Sequence, residues 1–134
     1  MSAWKPVVRE AAPTLGDALS ADRITAKIKL VGTPNKAWRD LYLNHTMHLD
    51  STDLGYGGDF YSVQYEVAQS SLPRLMATID QAAASANAEY ESTVLPRIQA
   101  EADAEAAQLL AAQERRAELD ALAKQFPPPG NVEN

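Results

Sequence analysis

The sequence predicts an α+β fold: a small antiparallel sheet of three strands, ferredoxin-like but incomplete, covered by helices, with a long alanine-rich C-terminal helical arm. Three observations predict it. Residues 23–31 and 60–68 alternate apolar and polar side chains with period two. Residues 70–126 contain no glycine, and only Pro73 and Pro96 interrupt them. Between the two halves of the pattern lie clusters of turn residues, Gly32-Thr33-Pro34 and Gly55-Tyr56-Gly57-Gly58.

Residues 1–20 read as an N-terminal extension. Pro6, Pro13 and Gly16 break any long element, yet Trp4, Val7, Val8, Leu15 and Leu19 are apolar. A disordered tail has no use for them, so the segment is expected to pack on its own domain or on a neighbour. In 23–31, Ile24, Ala26, Ile28 and Leu30 share one face while Thr25, Lys27 and Lys29 share the other, the pattern of a half-buried strand. Thr33 is a good N-cap, and Pro34 suits the first helical position. A helix over 34–45 follows, with Trp38, Leu41 and Tyr42 on one face.

A second strand is expected over 46–50, with Met47 and Leu49 inward, and residues 51–59 form a loop. The third strand is 60–68, with Tyr61, Val63, Tyr65 and Val67 inward; the pair makes an antiparallel hairpin. Ser70 or Ser71 caps the next helix, and Pro73 sits in its first turn. Leu72, Met76, Ile79, Ala83, Ala86, Tyr90 and Val94 recur at helical spacing. Pro96 should kink or break the helix near 93–95. A last helix runs to about Phe126, where three prolines stop it. The expected organisation is an extension over 1–20, an α+β domain over 21–95, a helical arm over 96–126 and a Pro-rich tail over 127–134. With three strands, one sheet edge stays open and invites another chain.

Bulk properties narrow the function. At 134 residues the chain can bury a core without staples. It has no cysteine, which removes disulfides, thiol catalysis and Cys-ligated metals. Met1-Ser-Ala-Trp-Lys-Pro6 has no apolar run, so no signal peptide is expected, and no stretch reaches the roughly 18 apolar residues of a membrane span. The expectation is a cytoplasmic protein or part of an intracellularly assembled particle. The net charge of −6 is uneven. Residues 1–69 carry seven Lys/Arg against eight Asp/Glu, whereas 70–126 carry five against nine. An acidic helical half repels phosphate backbones, so direct nucleic-acid binding is not expected.

Candidate chemistry is sparse. His45, His48 and Asp50 are the weak metal candidates, with Asp53 nearby, but their spacing matches no dedicated site. Asp50, Asp53 and Asp59 with Gly55 depart from a calcium loop. The glycines at 55–58 lead into a strand, not into the helix N-terminus a phosphate loop requires. Lys27, Lys29, Lys36 and Arg39 near Trp38 form a modest basic patch, which a solvated face explains more simply. No cofactor is expected.

The C-terminal arm carries the functional expectation. If its heptads start from Ile98, Ala102 and Leu109, then Glu105 and Arg116 fall on core positions, so a long regular coiled coil is not expected. Alanine supplies little area, against about 1.5–3 kcal/mol for a buried leucine. Glu101–Glu105 and Glu114–Glu118 are like-charge pairs one turn apart. The arm therefore has to dock, on its own chain or on another. The leading expectation is a non-enzymatic interaction module: an assembly component or adaptor acting as a homo-oligomer or within a larger complex. Its interface candidates are Trp4, Val7, Val8, Tyr56, Phe60, Ile98, Ala102, Leu109, Leu110, Leu119, Leu122 and Phe126. The alternatives are an acidic inhibitor filling a partner's nucleic-acid-binding groove, and a metal-dependent enzyme using His45, His48 and Asp50.

Overall fold

A computed structural model describes residues 3–18 and 22–129; Leu19 and the tail at 130–134 lie outside them. The chain divides into two compact units, Met1–Leu95 and Pro96–Asn134. The first is an α+β domain. Its strands are β1 (Val8–Arg9), β2 (Thr14–Asp17), β3 (Arg23–Val31), β4 (Ser51–Tyr56) and β5 (Phe60–Ala68). Its helices are α1 (Lys36–Thr46) and α2 (Leu72–Glu89), the latter entered through a short 3₁₀ turn at Gln69–Ser71.

The sheet has five antiparallel strands, not the expected three. The order is β1-β3-β5-β4, and β2 also pairs with β3. The two additional strands come from the N-terminal segment. Val8 pairs with Val31, and Thr14–Asp17 run beside Lys27–Ile24, so β1 and β2 lie along the same edge of β3. The edge expected to stand open is therefore occupied by the chain itself.

Strands β3 and β5 form the centre in continuous register from Arg23↔Ala68 to Val31↔Phe60. Their alternation does what the pattern predicts. Ile24, Ala26, Ile28 and Leu30 are buried with Tyr61, Val63 and Tyr65, under the buried Trp38 and Tyr42 of α1 and Leu75, Ile79, Ala82, Ala83 and Ala86 of α2. Lys27 and Lys29 face outward.

Helix α1 starts two residues later than expected. Asn35, not Thr33, is its N-cap, accepting a hydrogen bond from the Trp38 amide at 3.0 Å. It also runs through Thr46, whose hydroxyl donates to the Tyr42 carbonyl. This displaces the expected strand at 46–50. Met47 is 79% exposed rather than inward, and β4 occupies 51–56, where a loop was expected. A bulge between Asp53 and Gly55 lets β4 follow β5, leaving a turn at 57–59.

The residues ahead of β1 are fastened at three points. The Trp4 indole donates to the Thr33 carbonyl at 3.0 Å, and its ring stacks on Tyr90 with centroids 4.5 Å apart. Lys5 and Thr33 exchange hydrogen bonds at 3.0 Å, through the Thr33 hydroxyl and the two backbones. Gly32 allows this close approach: its φ is +137°, and a Cβ there would lie 2.3 Å from the Pro6 carbonyl oxygen. The third point is Asn87 of α2. Its carboxamide accepts from the Val7 amide (2.9 Å) and the Trp38 indole (2.8 Å), and donates to the Val7 carbonyl (2.9 Å). One side chain thereby ties the residue ahead of β1 to α1 and α2.

Pro96 does not break the helix. A π-helical turn at Tyr90–Val94 joins α2 to the last helix, α3 (Leu95–Ala123). In it the Leu95 amide reaches back five residues to the Tyr90 carbonyl. The hydroxyls of Thr93 (2.6 Å) and Ser92 (3.3 Å) donate to the Glu89 carbonyl. The wider turn accommodates a proline that cannot donate and that crowds the carbonyl four residues earlier. Tyr90 and Val94 within it are buried.

Replacing Asn87 tests the three-way tie. Asn87→Ala leaves two donors and a carbonyl of the half-buried junction without partners, and should lower the unfolding free energy by about 2 kcal/mol in urea melts.

Candidate interaction surfaces

The metal candidates do not converge. The His45 ring is hydrogen-bonded through Nε2 to the Glu89 carboxylate, joining α1 to α2. His48 is exposed in the turn after α1, and Asp50 faces Arg23 across 3.9 Å. Among the described residues no three His, Asp or Glu side chains stand where one ion could be shared. His45 instead borders a shallow groove of about 320 Å³ with Arg74, Thr78, Gln81 and Ser85. Gln81 donates to the Ser85 hydroxyl there at 3.2 Å, so that hydroxyl is engaged along its own helix. The basic patch also disperses. Trp38 is buried, Lys29 pairs with Glu10 at 3.3 Å, and Arg39 turns to the hairpin.

The hairpin end holds an aromatic network. The Arg39 guanidinium lies over the Tyr56 ring, 4.5 Å from its centroid, and 5.9 Å from that of Tyr61. Its Nε–H is buried without a hydrogen-bond partner among the described residues, so the rings are what this cation meets on that side. Tyr61 donates to Asp53 at 2.5 Å, and the hydroxyls of Tyr42 and Tyr65 are 2.6 Å apart. Burial, which disfavours a phenolate, raises the pKa of all three phenols. That of Tyr65 is pushed up to about 12, while those of Tyr42 and Tyr61 are raised further, each helped by its hydrogen-bond partner. Tyr56 remains exposed, and Phe60 is half-buried on the outward face with the Lys29 ammonium 5.8 Å from its centroid.

The N-terminal candidates separate. Val7 is fully buried in the domain's own core, which removes it from the interface candidates: the Asn87 clamp turns its side chain inward. Trp4 is half-buried on Tyr90, whereas Val8 is 55% exposed.

The C-terminal candidates share one environment. Every residue from Pro96 to Pro129 is exposed, including Ile98, Ala102, Leu109, Leu110, Leu119, Leu122 and Phe126. Leu109 is 62% and Phe126 75% exposed. Arg115–Glu118 (3.2 Å) and Arg116–Asp120 (3.4 Å) are solvated pairs along the helix surface, worth little to stability. Among the described residues no helix is long and apolar enough to cross a membrane.

Sequence reasoning missed Asn87 and Asn35, and it assigned Arg39 to a solvated basic patch, whereas Arg39 packs on the hairpin tyrosines. Asn87 had a signal: it is an amide beside the apolar stripe, one residue after Ala86 and three before Tyr90. Asn35, which caps α1 and donates to the Tyr90 hydroxyl at 2.7 Å, was masked by the stronger Thr-Pro cap pattern before it. In comparisons with protein-family models, curated proteins and solved structures, no match to this chain is found.

The tyrosine network sets an alkaline limit. A phenol whose folded pKa lies above its unfolded value of about 10 contributes stability that is complete below pH 10 and is lost as the pH rises through the folded pKa. Absorbance titration at 295 nm should show Tyr42, Tyr61 and Tyr65 ionising only with unfolding, and ionising near pH 10 (about the free phenol's value) in urea. Tyr42→Phe should remove part of that pH dependence.

Proposed function

We infer that the protein works by protein–protein contact, as a non-enzymatic assembly component that associates with itself through α3. One observation supports this most: a 29-residue helix carries Ile98, Leu109, Leu110, Leu119 and Leu122 with no buried residue of its own. Such a helix is about 44 Å long. Alanine propensity favours it locally, but most helical stability in proteins comes from packing. Leaving these side chains in water forgoes roughly 1.5–3 kcal/mol for each one a partner could fully cover. Val8 at the sheet edge and Tyr56 at the hairpin are secondary contacts in the same reading.

The β3-α1-β4-β5-α2 run is read here as a ferredoxin-like unit whose remaining edge strand comes from the N-terminus. On that reading the sheet is complete within one chain, and α3 is the part that needs a partner.

Paired substitution Leu109→Asp and Leu119→Asp is the test. It should reduce the solution mass to that of a monomer in light scattering while leaving the thermal unfolding of the domain unchanged. A complex with a basic, nucleic-acid-binding partner would instead dissociate steeply with added salt and ignore these leucines.

A further inference from the structure

We propose that α3 pairs with the α3 of a second copy as an antiparallel two-stranded coiled coil centred between Leu110 and Ala111. This rests on the self-association read above and specifies its partner, orientation and register.

The seam is the alternating 3–4 series Ile98, Ala102, Glu105, Leu109, Ala112, Arg116, Leu119, Ala123. It holds two charged residues, which by themselves would spoil a coiled coil. They are of opposite sign, and they stand equally far from the point between Leu110 and Ala111. Turning a second helix end for end about that point brings Glu105 of each copy against Arg116 of the other. The same rotation sets Ile98 against Ala123, Ala102 against Leu119 and Leu109 against Ala112. Each apolar layer then opposes a large side chain to a small one, which lets the helices approach closely without a void.

The flanking positions agree. Gln99 falls against Asp120 of the second copy, Ala106 against Gln113, Glu101 against Leu122 and Gln108 against Arg115. No flanking layer opposes like charges. A parallel, in-register pair would stack Glu105 on Glu105 and Arg116 on Arg116, placing two like-charge contacts in the seam. The charges that argue against an ordinary coiled coil thus select one orientation. The exposure of every seam residue from Ile98 to Ala123 leaves the face free for this partner.

Charge exchange on the full chain tests it. Glu105→Arg alone and Arg116→Glu alone should each weaken the dimer at least about tenfold in sedimentation equilibrium, because each opposes like charges in two layers. The double exchange should restore wild-type affinity; a parallel pair would hold two like-charge layers in the wild type, in both single exchanges and in the double exchange, and so would respond to none of them. Because the chain has no cysteine, Ala102→Cys and Leu119→Cys proteins give a second readout. Under oxidation, a mixture of the two should form a cross-linked dimer, and neither alone should. A dimer insensitive to the exchanges, or one in which Ala102→Cys cross-links to itself, overturns the antiparallel seam and leaves self-association standing. A monomer up to about 100 µM, a concentration that would reveal even weak pairing, overturns both.

Discussion

The carboxamide of Asn87 is the constraint on which the domain depends. Backbone groups taken out of water must find partners, and a single amide offers both a donor and an acceptor. Asn87 uses both on Val7 and lends its oxygen also to the Trp38 indole. The consequence spreads outward. Val7 turns into the core, β1 is held against β3, and the Arg9 guanidinium reaches Asp80 on α2 through two bonds of 3.0 Å. The N-terminal segment becomes part of the sheet and closes the edge of β3, which would otherwise be a template for aggregation.

The π turn is the second constraint, because it decides where the domain ends and how α3 begins. The hydrogen-bond register widens over Tyr90–Val94, so Tyr90 and Val94 stay in the core while the chain passes Pro96 in helical conformation. Tyr90 also receives the Trp4 ring and the Asn35 amide. The last turn of the domain therefore belongs to the same network as Asn87. Beyond Leu95 the residues of α3 through Ala123 are all exposed, the apolar ones included.

What the sequence made legible follows from burial. Strands β3 and β5 each bury one face, so period two is written into 23–31 and 60–68, and both were placed within a residue. Strand β2 is exposed along its whole length and β4 nearly so; an edge strand without a buried face carries no alternation, and only pairing with its neighbour defines it. The false strand at 46–50 arose from Met47 and Leu49, which alternate by chance after the end of α1. Pro96 marked the place of a departure from α geometry but not its form: proline reports a missing donor and a steric conflict, and the π turn at Tyr90–Val94 answers both without ending the helix. Of the interface candidates, Val8, Tyr56 and those in α3 are exposed, whereas Val7 is buried beside a side chain eighty residues away, which no local pattern displays.

The domain through Leu95 holds itself together, whereas α3 is proposed to be held by a second copy. Amide hydrogen exchange of the full chain at two concentrations addresses it most directly. With α3 paired between copies, 98–123 should exchange slowly at high concentration and rapidly on dilution, while 24–30 and 61–65 stay protected throughout. Rapid exchange of 98–123 at both concentrations, with the sheet still protected, would contradict it.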